Sequence, residues 1–318
     1  MSAFRIVFFA AVSATLSLLA GCQGTSTGDV PARAGTKDAV TWSGPHKGLL
    51  APFKETAFRY RKPLEVSDGG RFMIVPYDEL VDINKRDEVP VRKVRSWWVS
   101  KLPRGAEVEG QYEVGGRRHL YRAVGQLSGG SKMTVIYIHG RGGNKDWGFD
   151  DERFGGNFNR LKNMLLKAGG AYVSPDFTDF EADGLADVKA LVNKFSKLTS
   201  GPLIVACGSL GNNHCWSLAQ DAAITSKLSG LIVLSGFPNE RFFSSPAVHS
   251  PGHRVALVIS HGTWDPDFDY KPMVEFYRTL RAKAPDYPVR LILFETGKHG
   301  APVRMIDWRD TLNWIAAQ

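Results

Sequence analysis

Pro202-Leu-Ile-Val-Ala-Cys207-Gly208-Ser209-Leu210-Gly211-Asn212-Asn213-His214 is an apolar run that stops abruptly at a serine between glycines. A continuous apolar run of this length reads as a strand buried on both faces, and the residues after it read as the start of a helix. A serine at such a corner takes a strained backbone conformation that only small neighbours tolerate, and its hydroxyl is lifted clear of the sheet. This geometry suits a nucleophile. The G-x-S-x-G pattern places glycine two before and two after the serine; Gly211 fills the second place and Cys207 the first. A plain strand-to-helix turn and a nucleotide-binding glycine loop are the other readings. The latter expects G-x-G-x-x-G, of which only Gly208 and Gly211 match.

From Met133 onward the same pattern recurs. Apolar runs at Thr134–His139, Ala171–Val173, Leu203–Cys207, Leu231–Leu234, Val255–Ser260 and Val289–Phe294 alternate with amphipathic stretches. That alternation predicts an α/β protein with a mostly parallel central sheet and helices on both faces. Val188, Leu191, Val192 and Phe195 fall on one helical stripe, as do Met305, Trp308, Leu312 and Ile315. Upstream, Arg71–Val75, Ser96–Ser100 and His119–Val124 read as short strands, the last two as antiparallel strands opening the sheet. Residues of about 50–95 carry no catalytic motif.

Several strands end in chemistry. Thr134–Ile138 runs into His139-Gly140-Arg141-Gly142-Gly143, where glycines let backbone N–H groups face a ligand; two such donors are what a developing oxyanion needs. Val255–Ser260 leads to His261-Gly262-Thr263-Trp264-Asp265-Pro266-Asp267, and Leu291–Phe294 leads to Lys298-His299-Gly300. A serine hydroxyl becomes a nucleophile when a histidine takes its proton, and a carboxylate fixes that histidine's tautomer. Serine, acid and histidine occur here in that order at the carboxyl ends of strands, where open α/β sheets build their sites.

With these motifs the region from about Ser96 to Gln318 resembles the α/β-hydrolase superfamily. The resemblance implies Ser209 as nucleophile, Asp265 as acid with Asp267 as its competitor, and His299 as base. It also implies an oxyanion hole from the backbone N–H groups of Leu210 and of Arg141 or Gly142. Trp147, Phe237 and Trp264 are candidate substrate-binding walls. The interval Ser235–Arg254 is too short for a large lid; Phe237, Phe242 and Phe243 can supply an apolar wall there, and the site is expected to be open and shallow. His299 is expected to titrate near its ordinary value of about 6.5. The reading is a serine hydrolase of carboxylic esters or thioesters acting through an acyl-enzyme; a peptidase or amidase, or a non-catalytic binding lipoprotein on the same scaffold, are the alternatives. His139 is expected to brace the oxyanion turn, His261 to pack under the acid loop, and His214 to be structural. Without an H-E-x-x-H motif no metal is expected, and no cofactor.

The start of the chain bears on location. Residues 1–21 contain one charge, Arg5, then an apolar run from Ile6 to Leu19, and end in Leu19-Ala20-Gly21 before Cys22. This is a secretory signal whose end resembles a bacterial lipobox, which implies cleavage before Cys22 and lipidation of that residue. Residues 22–49 read as a tether, and 50–318 as one domain with an N-terminal extension over about 50–95. The expected location is the bacterial cell envelope, on the periplasmic side of a membrane. Removing the signal takes one arginine from 40 basic residues and leaves the 32 acidic ones, a net charge of +7. A basic surface suits a membrane with anionic head groups, whereas no Lys/Arg run is dense enough for nucleic acid. Cys207 and Cys215 are expected to be buried thiols with no disulfide between them.

Overall fold

The computed structural model describes residues 42–89 and 91–318; the signal segment, Cys22 and most of the tether lie outside the described residues. The early segment contributes β1 (Glu65–Ser67), β2 (Phe72–Pro76), two-residue strands β3 (Asp87–Glu88) and β4 (Lys93–Val94), and helices α1 (Glu55–Phe58) and α2 (Glu79–Arg86). Then follow the hairpin β5 (Glu107–Val114) and β6 (Arg117–Gly125), β7 (Thr134–Ile138), α3 (Asn157–Ala168), β8 (Ala171–Pro175), α4 (Ala182–Ser196) and β9 (Leu203–Gly208). The remainder is α5 (Asn212–Ala219), α6 (Ala222–Thr225), β10 (Gly230–Leu234), α7 (Pro246–His249), β11 (Ala256–Gly262), α8 (Lys271–Lys283), β12 (Val289–Glu295), α9 (Ala301–Met305) and α10 (Trp308–Ala316).

Ten strands form one sheet in the order β1-β2-β12-β11-β10-β9-β7-β8-β6-β5. The run from β8 to β2 is parallel, and antiparallel strands close both edges. Alternation along β9 divides the core: Leu203, Val205 and Cys207 join one buried cluster with α4, α5 and α8, whereas Ile204 and Ala206 join the other with α3 and α10. Both faces are therefore covered, as the unbroken apolar runs require. This is the α/β fold that the strand pattern predicts.

Three expectations need correction. Ser96–Trp98 is a short 3-10 turn and not a strand. The strand that opens the sheet beside β6 is β5, whose alternation is broken by Gly110 and by polar residues; the two are joined through Gly115-Gly116, both at positive φ, a hairpin signal that the reading passed over. The early segment is also more than an appendage, since β2 pairs in parallel with β12 and extends the sheet at the edge opposite the hairpin. From His46 the chain is bonded to the body: His46 lies 2.6 Å from Asp310, and Leu50 N–H donates to Asn313 at 2.9 Å.

Candidate active site

The parallel strands end level with one another, with Gly208 opposite Leu234, Leu234 opposite Ser260, and Gly262 opposite Phe294. The loops that leave this edge carry the candidate residues. Ser209 sits at φ 50°, left-handed for a residue with a side chain, a conformation that costs on the order of 1–3 kcal/mol unless its surroundings enforce it. They do. Asn212 donates from Nδ2 to the Ser209 carbonyl at 2.6 Å and to the Leu234 carbonyl at 3.2 Å, which fastens the corner to the neighbouring strand. Gly211 is obligatory, because a Cβ there would meet the His139 carbonyl at 2.6 Å.

Asp265 and His299 are fixed in the same way. Asp265, whose side chain is fully buried, accepts the N–H groups of Asp267 at 2.9 Å and Phe268 at 3.2 Å. His299 follows a turn held by Thr296, whose backbone N–H donates to Thr263 Oγ1 at 2.8 Å and whose hydroxyl donates to the Tyr77 carbonyl. Ser235 donates to the His299 carbonyl. The outcome is a single row: Ser209 Oγ lies 2.8 Å from His299 Nε2, and His299 Nδ1 lies 2.8 and 3.0 Å from the two oxygens of Asp265. Asp267 is 3.6 Å from Nδ1 and 61% exposed, so of the two carboxylates Asp265 is the one in hydrogen-bond contact.

Charge follows this geometry. Burial disfavours the imidazolium of His299, but the bond to Asp265 and the negative charges of Asp265 and Asp267 outweigh it and raise the pKa above its ordinary value. That moves the titration upward from the expected 6.5. For Asp265 burial favours the neutral form, yet the bonds from His299 and the two N–H groups prevail and its pKa is lowered.

The Gly140 turn lies directly against the serine. A Cβ on Gly140 would stand 2.8 Å from Ser209 Cβ and 3.4 Å from its Oγ. Gly143 N–H closes the turn on the Gly140 carbonyl, which leaves the N–H groups of Arg141 and Gly142 outside its bonding. His139 stacks on Phe177 with ring centroids 4.4 Å apart and is held below its ordinary pKa chiefly by burial. His261 is buried with its nitrogens 3.0 Å from the carbonyls of Gly262 and Gly236. His214 lies 2.9 Å from the Asp179 carbonyl.

Of the expected walls, Phe237 packs on Phe268, which packs on the His299 ring at 5.6 Å between centroids. Trp264 is exposed beside the acid loop. Trp147 sits against Phe154 and under Arg153. Phe242 is buried against Trp216, and Phe243 stacks on Phe276, so of the three phenylalanines in the short interval Phe237 is the one joined to this row. Sequence reading missed Phe268, and on the opposite side Phe177 and Phe180, which pack around His139 and His214. Their signal was a position on loops just after strand ends. It also missed Asn212 and Ser235.

The two remaining cysteines depart from expectation. Cys207 and Cys215 form a disulfide, with Cα atoms 6.2 Å apart, inside the usual range of about 4.4–6.8 Å. Strand alternation turns Cys207 toward α5, and the sharp corner at Ser209 sends the chain straight back, so Cys215 in the first turns of that helix reaches it. The first place of the glycine pattern therefore holds one end of a staple across the elbow.

Asp265, Asp267 and His299 bring one ligand atom each within 4.8 Å of one another, a grouping of the kind that can hold a metal ion. Nδ1 of His299 is already bonded to Asp265, so an ion there would compete with the row just described. His249 and His253, four residues apart, face the carbonyls of Phe243, Thr225 and Leu228.

No protein-family model and no curated protein matches the chain by sequence. Among solved structures, the apo form of esterase 2 from Thermogutta terrifontis is similar at 14% identity and a TM-score of 0.47, covering 68% of this chain and 94% of that one. A protein of unknown function from Agrobacterium tumefaciens, described as an α/β hydrolase candidate, is similar at 14% identity and a TM-score of 0.46, covering 61% of this chain and 87% of that one.

Proposed function

We propose that the protein is a serine hydrolase that cleaves carboxylic esters or thioesters with small acyl groups through an acyl-enzyme. The observation that carries the reading is the unbroken row from Ser209 through His299 to Asp265 at a strained strand-to-helix corner. Neutral His299 accepts the Ser209 proton at Nε2 while its Nδ1–H donates to Asp265. The oxygen attacks the carbonyl carbon; the N–H groups of Leu210 and of Arg141 or Gly142 receive the oxyanion; His299 returns the proton to the leaving alcohol or thiol. Water then repeats the sequence and frees the acid. The exposed edge of His299, with a quarter of its side chain accessible, and the short segment from Ser235 to Arg254 support an open site.

The same proposal places the chain on the periplasmic side of a bacterial membrane, anchored through a lipid on Cys22. The disulfide supports export, because such bonds persist in oxidising compartments. A fluorophosphonate probe tests the chemistry: covalent capture at Ser209 with turnover of short p-nitrophenyl esters is expected. A chain that neither labels nor turns over would be the binding lipoprotein, and preferential cleavage of amide substrates would make it a peptidase or amidase.

A further inference from the structure

A cavity of about 450 Å3 is lined by Trp42, Arg59, Arg61, Lys62 and Lys85 among others. Four cations meet there, and the carboxylate paired with them is Asp82, 3.3 Å from Arg61. No ion pair joins Arg59, Lys62 or Lys85 to an acid among the described residues. Burial first, and the positive charges of Arg86, Arg59 and Arg61 acting against Asp82, hold the Lys85 ammonium below its ordinary pKa. Like charges gathered without enough acid form a site that an anion completes. The Trp42 indole N–H, buried and without a partner among the described residues, adds a donor in the wall.

The surroundings identify the anion's carrier. Val81 lies one helical turn before Lys85 on α2, so the two share a face, and it is 53% exposed; its neighbour Leu80 is 74% exposed. Arg92 donates to Glu79 at 3.1 Å, which ties the start of the same helix to the residue just before β4, and Val89 and Val91 are exposed. A cationic cavity bordered by projecting aliphatic side chains matches a lipid surface, where phosphate groups overlie acyl chains. The chain also enters the described fold at the wall of this cavity. Trp42 lies twenty positions after Cys22, a reach of at most about 70 Å.

We propose that the cavity and the α2 face form a docking surface for a bilayer bearing anionic phosphate head groups. It goes beyond the hydrolase reading and borrows from the anchoring reading only the tether's reach. The described fold begins at Trp42, so a chain starting at residue 23 keeps all of it and lacks the signal. The experiment is sedimentation of that chain with vesicles of phosphatidylcholine, alone or mixed with phosphatidylglycerol. Binding to the mixed vesicles and not to phosphatidylcholine is expected. R59Q/K62Q/K85Q should weaken it about 100-fold, since each cation near the surface contributes about fivefold. L80S/V81S should weaken it several-fold, and K197Q/K227Q/K271Q, all exposed on other elements, by less than about threefold. Absence of binding to mixed vesicles overturns the proposal, as does an equal loss in both triple variants. Inorganic phosphate filling the cavity without vesicle binding would assign it to a soluble anion and would equally overturn it. None of these readouts involves ester turnover, so failure here leaves the hydrolase reading to its own test.

Discussion

Breaking the Cys207–Cys215 bond should destabilise the fold without abolishing the site. The bond links residues eight apart in sequence, and the loss of that constraint on the unfolded chain corresponds to about 2.5 kcal/mol at room temperature. For a domain of this size the unfolding entropy converts that to a fall in Tm of about 4–5 °C. Activity at 25 °C should fall by no more than a few-fold, because the corner is held independently by the two bonds from Asn212 and by the Gly140 turn against Ser209. Both sulfurs lie in the buried core, so reduction should require unfolding: a chain starting at residue 23, unfolded, reduced and alkylated or left oxidised, is the comparison for thiol counting, and C207A/C215A against wild type is the comparison for melting. Two free thiols titrating in the unfolded, unreduced protein would refute the bond. An unchanged Tm in the double variant would refute the constraint, and loss of all activity in that variant would show that the bond, and not Asn212, sets the serine's position.

Ser209→Ala and His299→Ala should each lower kcat by about 10^4 or more with the melting curve little moved, and Asp265→Asn should do nearly as much, whereas Asp267→Asn stays within about tenfold by steady-state kinetics. Because neutral His299 is the active form and its pKa is raised, kcat/KM should climb with pH through an inflection above 6.5; Asp267→Asn, which removes one of the charges holding the proton, should shift that inflection downward. The same shift implies that the His299–Asp265 pairing contributes stability at low pH and loses it as pH rises through the folded-state value, which denaturant titrations across neutral pH would read. Gly140→Ala should cut kcat at least about 100-fold while the protein stays folded, since its Cβ would displace Ser209. Cys22→Ser should leave the protein without acyl mass in membrane fractions by mass spectrometry.

What could be read from the chain depended on how local the cause was. Parallel strands buried on both faces must be unbroken apolar runs, so β7, β9, β10, β11 and β12 stood out, and the residues next to their carboxyl ends were marked by the same runs. β5 was harder because it is an outer strand: one side of it faces water, and Glu107, Glu109, Gln111 and Glu113 interrupt the apolar pattern. Position in the sheet was harder still. Nothing in Phe72–Pro76 says that this strand will lie beside β12, more than 200 residues away, because that pairing is decided by which edge remains open once the central strands have assembled. The disulfide was missed for a related reason. Strand and helix were each correctly expected, but whether Cys215 returns over Cys207 depends on how sharply the chain turns at Ser209, and that turn angle comes from Asn212, Gly211 and the neighbouring β10 together. The aromatic walls follow the same logic: Phe177 and Phe180 belong to the loop after β8 and Phe268 to the loop after β11, and only the assembly of the sheet gathers them beside His139 and His299. Chemistry at strand ends is therefore written locally, whereas the pocket that selects a substrate is a product of tertiary packing, which is why substrate range is read from turnover of ester and amide substrates and not from the sequence.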